Sequence, residues 1–182
     1  THCGAKIIHN RIIDNTLDDM ETYGGQSVAG GGIGAFLGDS SFTVVIRDNL
    51  IDKNNCNSWY LNASGGGISI SCNALIENNI ITNNMCYSYQ VARSYGGGIS
   101  CTHDNSWTYP AEMIIRGNNI TNNLVQSQAK WANGAGIKAQ SVKVIITENM
   151  ISGNNVMVGP NISINDGFAG IMIVKPDRDC LD

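Results

Sequence analysis

Residues Ile76–Asn84 read IENNIITNN, and the spacing I-x-x-N-x-I-x-x-N decides the fold because it returns along the whole chain. The same positions are filled by Ile7, Asn10, Ile12 and Asn15, and by Ile46, Asn49, Ile51 and Asn54. They are filled again by Ile115, Asn118, Ile120 and Asn123, and by Ile146, Asn149, Ile151 and Asn154. Between copies lies a second element, a glycine cluster ending in isoleucine: Gly30 to Ile33, Gly65 to Ile68, Gly96 to Ile99, Gly134 to Ile137 and, weakly, Gly167 to Ile171. A period of 30 to 39 residues marks a stacked repeat.

Around each copy the apolar residues alternate with period two. Val44 and Ile46, Ala74 and Ile76, Met113 and Ile115, and Val144 and Ile146 each point to one face of a short strand. Asn10, Asn49, Asn79, Asn118 and Asn149 follow these strands. Asparagine tolerates the left-handed backbone that a sharp corner requires, so each is expected at that conformation. Stacked vertically, their amides form a hydrogen-bonded ladder along the axis. One turn cannot bury its own apolar face, whereas five stacked turns can. The reading is an all-β chain of about five turns, each with three short strands: one after the glycines, one before the first Asn, and a very short one between the two Asn. It forms one domain over 1–182, with repeats near 5–29, 30–64, 65–95, 96–133 and 134–166 and a partial turn over 167–182.

The pattern resembles the right-handed parallel β-helix repeat family, the pectin-lyase-like superfold, over residues 5–174. That fold hosts lyases, hydrolases, adhesins and structural proteins, so the resemblance speaks to architecture more than to activity. In its enzymes the site lies on the outer face of the first strand and the loops beside it. Hydrolases there need two carboxylates and lyases need a basic side chain. The outward positions expected for the first strand are Gly34, Ser69, Ser100, Lys138 and Met172, then Phe36, Ser71, Thr102, Gln140 and Val174. None is acidic, which counts against an enzyme. Lys138 is the candidate base, with His103 at the end of a neighbouring strand.

Composition narrows the classes further. Charged residues make up 14% of the chain and the net charge is −4, which leaves no electrostatic footprint for nucleic acid. No apolar run exceeds about five residues, so membrane insertion by a helix is not expected. Six cysteines without Cys-x-x-Cys spacing and three scattered histidines suggest neither a metal nor a cofactor. A chain opening at Thr1 fits an exported product, and an extracellular or cell-surface location is expected.

Trp59, Tyr60, Tyr87, Tyr89, Tyr95 and Trp131 fall in the connecting segments beside amides and hydroxyls, a composition that suits sugars. Packing of these rings onto the solenoid explains them equally well. Trp59 and Tyr89 share an offset and are expected to stack. Cys56 and Cys86 fall in register on adjacent turns, where a strained disulfide and a free pair both fit. Two features suggest partners of the same kind. Val45, Leu75, Ile114 and Ile145 form an outward apolar column, flanked by Leu50, Ile80 and Met150. The chain also opens and closes in complementary phase, with Cys3 and Cys180 near the two ends, so copies stacked end to end would continue the repeat. A piece cut from a longer β-helix explains the same phase. The sequence thus favours a non-catalytic, extracellular β-solenoid that assembles with itself and offers aromatic loops to glycans. The alternative is a lyase or glycoside hydrolase acting on an acidic polysaccharide.

Overall fold

The computed structural model describes residues 4–19, 27–36, 43–89, 93–102, 111–128, 131–159 and 168–174. Every strand pairing among them is parallel, in five sheets that run along one axis, and the chain is a parallel β-helix. Sheet 1 holds Ile33–Ala35, Ile68–Ile70, Ile99–Thr102, Ile137–Gln140 and Ile171–Val174. Sheet 2 holds Lys6–Ile8, Thr43–Arg47, Asn73–Glu77, Glu112–Arg116 and Lys143–Thr147. Sheet 3 holds Arg11–Ile13, Leu50–Asp52, Ile80–Thr82, Asn119–Thr121 and Met150–Ser152.

These are the three expected strands of each turn, but the turn contains two more. Sheet 4 follows the second Asn, with Thr16–Asp19, Asn55–Ser58, Met85–Ser88, Leu124–Ser127 and Asn155–Val158. Sheet 5 precedes the glycines, with Val28–Ala29, Ala63–Ser64, Arg93–Tyr95 and Trp131–Asn133. The segments read as loops are therefore the walls of a second lobe. Sheets 1, 2 and 3 enclose the main core, in which Ile46, Ile51, Ile68, Ile76, Ile81, Ile99, Ile115, Ile120 and Ile137 have no exposed surface. Burial of each contributes about 1.5–3 kcal/mol. Sheets 4 and 5 enclose a smaller core of Val28, Cys56, Ala63, Cys86, Val125, Ala132 and Ala135.

The glycine column is the waist between the lobes. Gly65 has φ +68°, which turns the chain from sheet 5 into sheet 1. Gly66 and Gly67 are required by contact. A Cβ on Gly66 would run into the Met85 carbonyl, and one on Gly67 would lie 3.1 Å from the Asn84 amide nitrogen. The glycines thus close the main lobe directly against sheet 4.

Two asparagine ladders, not one, border that waist and the opposite corner. Asn10, Asn49, Asn79, Asn118 and Asn149 form the first; Asn15, Asn54, Asn84, Asn123 and Asn154 form the second. Within each, the Nδ2 of one rung donates to the Oδ1 of the next, at 2.8–3.2 Å. That Oδ1 also accepts the preceding rung's backbone N–H, as in Asn79 N to Asn118 Oδ1 at 2.9 Å. The left-handed conformation expected at the ladder residues falls one position earlier. His9, Asp48, Asn78, Gly117 and Glu148 have φ between 54° and 65° before the first ladder, and Asp14, Lys53, Asn83, Asn122 and Gly153 before the second. The bend at that residue swings the following amide inward, so the ladder position is selected for hydrogen bonding and not for backbone tolerance.

Replacing Asn79, which is 1% exposed, strands the amides on both neighbouring rungs. Asn79→Ala is expected to lower unfolding free energy by about 2–4 kcal/mol in a urea titration, against about 1 kcal/mol for Asn10→Ala on the exposed first rung. Gly66→Ala should cost more than about 2 kcal/mol, since a backbone carbonyl occupies the new methyl's place.

Candidate functional site

Sheets 5 and 1 meet at a re-entrant corner, because the chain reverses at the left-handed glycines between them. Alternation places Ser64, Tyr95 and Asn133 on the corner side of sheet 5, in register with one another. It places Ser69, Ser100 and Lys138 on the corner side of sheet 1, also in register. The two columns fold onto each other. Ser64 Oγ donates to Ser100 Oγ at 2.7 Å, and Lys138 Nζ lies 3.5 Å from the centre of the Tyr95 ring.

This overturns the expectation that the first strand presents these positions to solvent. Ser69, Ser100 and Lys138 are 1%, 0% and 3% exposed. Their side chains do leave the main core, as alternation requires, but the unforeseen fifth sheet covers them. Farther along the same face, Ser71, Thr102 and Gln140 are only half-buried and Phe36 is exposed.

The corner has an unusual electrostatic character. Removal from water lowers the Lys138 pKa from 10.5 to about 8, and the positive charge of Arg93 pushes the same way. The Tyr95 ring face favours the ammonium form, yet the loss of hydration prevails. Arg93 also bonds the Tyr95 hydroxyl and lies 4.6 Å from the centre of the Trp131 ring. Burial raises the Tyr95 hydroxyl pKa above its usual value. Asn133 is 2% exposed, and its Oδ1 has no hydrogen-bond partner. No Asp or Glu lies on the described strands of sheets 1 and 5. Among the described residues no group of three His, Cys, Asp or Glu is placed to hold a metal. A lysine of pKa about 8 keeps about a tenth of its amine neutral at pH 7 and so can take up a proton.

The six aromatic residues separate into two groups. Tyr95 and Trp131 join Lys138 at the corner, with Arg93, which sequence reading missed. Tyr87, on sheet 4, and Trp59, Tyr60 and Tyr89, just after it, form a cluster: Trp59 and Tyr89 stack at 4.1 Å, and Tyr87 meets Tyr89 edge-on at 4.8 Å. Tyr89 and Trp131 remain exposed. His103, Cys3 and Cys180 lie outside the described residues.

The assembly surfaces are also placed. Val45, Leu75, Ile114 and Ile145 form one vertical column, and Leu50, Ile80 and Met150 belong to the next, with Asn119 between Ile80 and Met150. Ile80, Ile114, Ile145 and Met150 are exposed, while Val45, Leu75 and Leu50 are half-buried. At the first rung an open mouth of about 560 Å³ is lined by Ile7, Ile12, Asn15, Gly31, Gly32 and Ile33. At the last rung Ile171 and Ile173 are exposed, and Ile146, Ile151 and Val156 are only half-buried.

Compared with known protein families, curated proteins and solved structures, the chain matches none.

The depressed lysine predicts a pH dependence. The unfolded chain holds this proton up to about pH 10.5 and the folded chain only to about 8, so unfolding takes up a proton between them and stability rises with pH across that window. Urea titrations at pH 8 and 10.5 should show wild type gaining on the order of 2–3 kcal/mol relative to Lys138→Met. Parallel profiles for the two proteins would refute the assignment.

Proposed function

We propose that this protein is a non-catalytic structural β-solenoid, working outside the cell or on its surface, whose copies stack end to end. The polarity of the asparagine ladders carries this reading. Every bond to a ladder Oδ1 comes from an N–H on the preceding rung, while the Nδ2 of each following rung also donates back to an isoleucine carbonyl of the rung before it. The first rung therefore retains Asn10 and Asn15 Oδ1 atoms with no donor among the described residues. The fifth rung retains the Asn149 and Asn154 backbone N–H groups with no acceptor among them. Each end thus presents ladder groups whose partners belong to a further rung.

A second copy placed head to tail supplies each with its missing partner. It also seats the half-buried aliphatics of the fifth rung against the mouth formed by Ile7, Ile12 and Ile33. Such a heterologous contact does not close on itself, so it propagates into a filament. Open sheet edges, which otherwise template aggregation, become ordinary internal pairings.

A second reading rests on Lys138. A pectin-lyase-like enzyme acting on an acidic polysaccharide would use a basic side chain beside the first sheet, with Arg93 to meet a carboxylate and Trp131 to face a sugar ring. The described strands of the corner carry neither of the two carboxylates that a hydrolase needs.

Negative-stain imaging and sedimentation of the purified chain discriminate the two. Stacking predicts rods whose length grows with concentration, and their loss in Ile12→Glu, which places a charge in the mouth. A monomer at all concentrations would sink it. Unsaturated products released from an acidic polysaccharide, and abolished in Lys138→Ala, would establish the enzyme instead.

A further inference from the structure

The smaller core contains a pair of groups that neither stacking nor the lysine corner uses. Cys56 and Cys86 are directly opposite on neighbouring strands of sheet 4, both with 0% exposure. Leu17 lies below them and Val125 above, in the same column. The two thiols are free and hydrogen-bonded to each other. Adjacent strands set opposite Cα atoms about 4.8 Å apart, inside the range a disulfide spans.

We propose that Cys56 and Cys86 are a redox clamp, oxidised by a low-molecular-weight disulfide as the chain folds, before the second lobe closes over them, to an intramolecular bridge that ties two successive rungs of that lobe. One thiolate attacks a sulfur of the small disulfide, forming a mixed disulfide and expelling one small thiolate. The second thiolate then displaces the other small thiol from the first sulfur. Two electrons pass from the protein to the small disulfide, and the two protein thiol protons end on the two released thiols.

The remaining described cysteines do not offer the same arrangement. Cys101 is opposite Ile70 and Ala139 and has no cysteine facing it on either neighbouring strand.

The test refolds the purified chain in oxidised glutathione or in dithiothreitol, then traps free thiols with N-ethylmaleimide in denaturant and maps the peptides. The expected result is a Cys56–Cys86 cross-linked peptide, with those two cysteines escaping alkylation, and a melting temperature higher by about 5–10 °C than that of the reduced protein. Cys86→Val, which copies Val125 one rung along, should keep the fold and lose the redox-dependent shift. Alkylation of both cysteines in the oxidised sample, or a shift that persists in Cys86→Val, overturns the clamp.

Discussion

A buried primary amide must find partners for an oxygen and two N–H groups, and this requirement organises the whole molecule. Asn79 and Asn84 lie in the interior with at most 1% of their surface exposed. Each is satisfied only when another asparagine lies one rung above and another one rung below. Left unpaired, such a group costs about 1–3 kcal/mol, more than most single contacts provide. A one-residue slip of any strand would break both ladders locally and turn the isoleucine columns outward. The ladders thus fix register, and register in turn stacks isoleucine on isoleucine through the main core.

The same constraint shapes the waist. Because the second ladder must lie at the boundary between sheets 3 and 4, the returning chain has to pass close beside it. Gly32, Gly67, Gly98 and Gly136 occupy that path, where a Cβ would lie 3.0–3.1 Å from Asn54, Asn84, Asn123 and Asn154. The close approach pinches the cross-section into two lobes and makes the corner between sheets 5 and 1 re-entrant. Lys138 is buried as a consequence. A position that alternation sends outward is covered by the strand that the glycines fold back against it.

The features legible from residue pattern are those carried by bulky aliphatics and by repeated amides. Ile46, Ile76 and Ile115 mark sheet 2, and Ile51, Ile81 and Ile120 mark sheet 3. Sheets 4 and 5 were hidden because their inward residues are small or polar: Ser58, Ser88 and Ser127 in one column, Ala63, Ser94 and Ala132 in another. No hydrophobic alternation announces such strands. The vertical repetition of serine and of Cys56, Cys86 and Val125 was nevertheless a signal available to a rung-by-rung comparison. The left-handed residue was missed for a related reason. His9, Asp48, Asn78, Gly117 and Glu148 share a conformation without sharing a side chain, and the uniform asparagine next to them drew the assignment one place along. At the corner, Tyr95, Trp131 and Lys138 were each singled out from sequence. Their convergence depends on sheet 5, and so do Arg93 and the unpartnered Asn133 oxygen.

Ladder polarity also distinguishes the ends from the sides. The lateral stripe of Ile80, Ile114, Ile145 and Met150 offers apolar area without direction, and any apolar surface of similar shape satisfies it. The ends demand more. Under the proposed stacking, the unpaired ladder groups at the two ends call for a surface that brings asparagines at the same lateral spacing, aliphatics beside them, and strands parallel to those already present. Few surfaces other than another rung of this repeat meet all three conditions. In the proposed assembly, specificity therefore resides in the hydrogen-bonding ends, while the apolar sides would add adhesion once the axis is set.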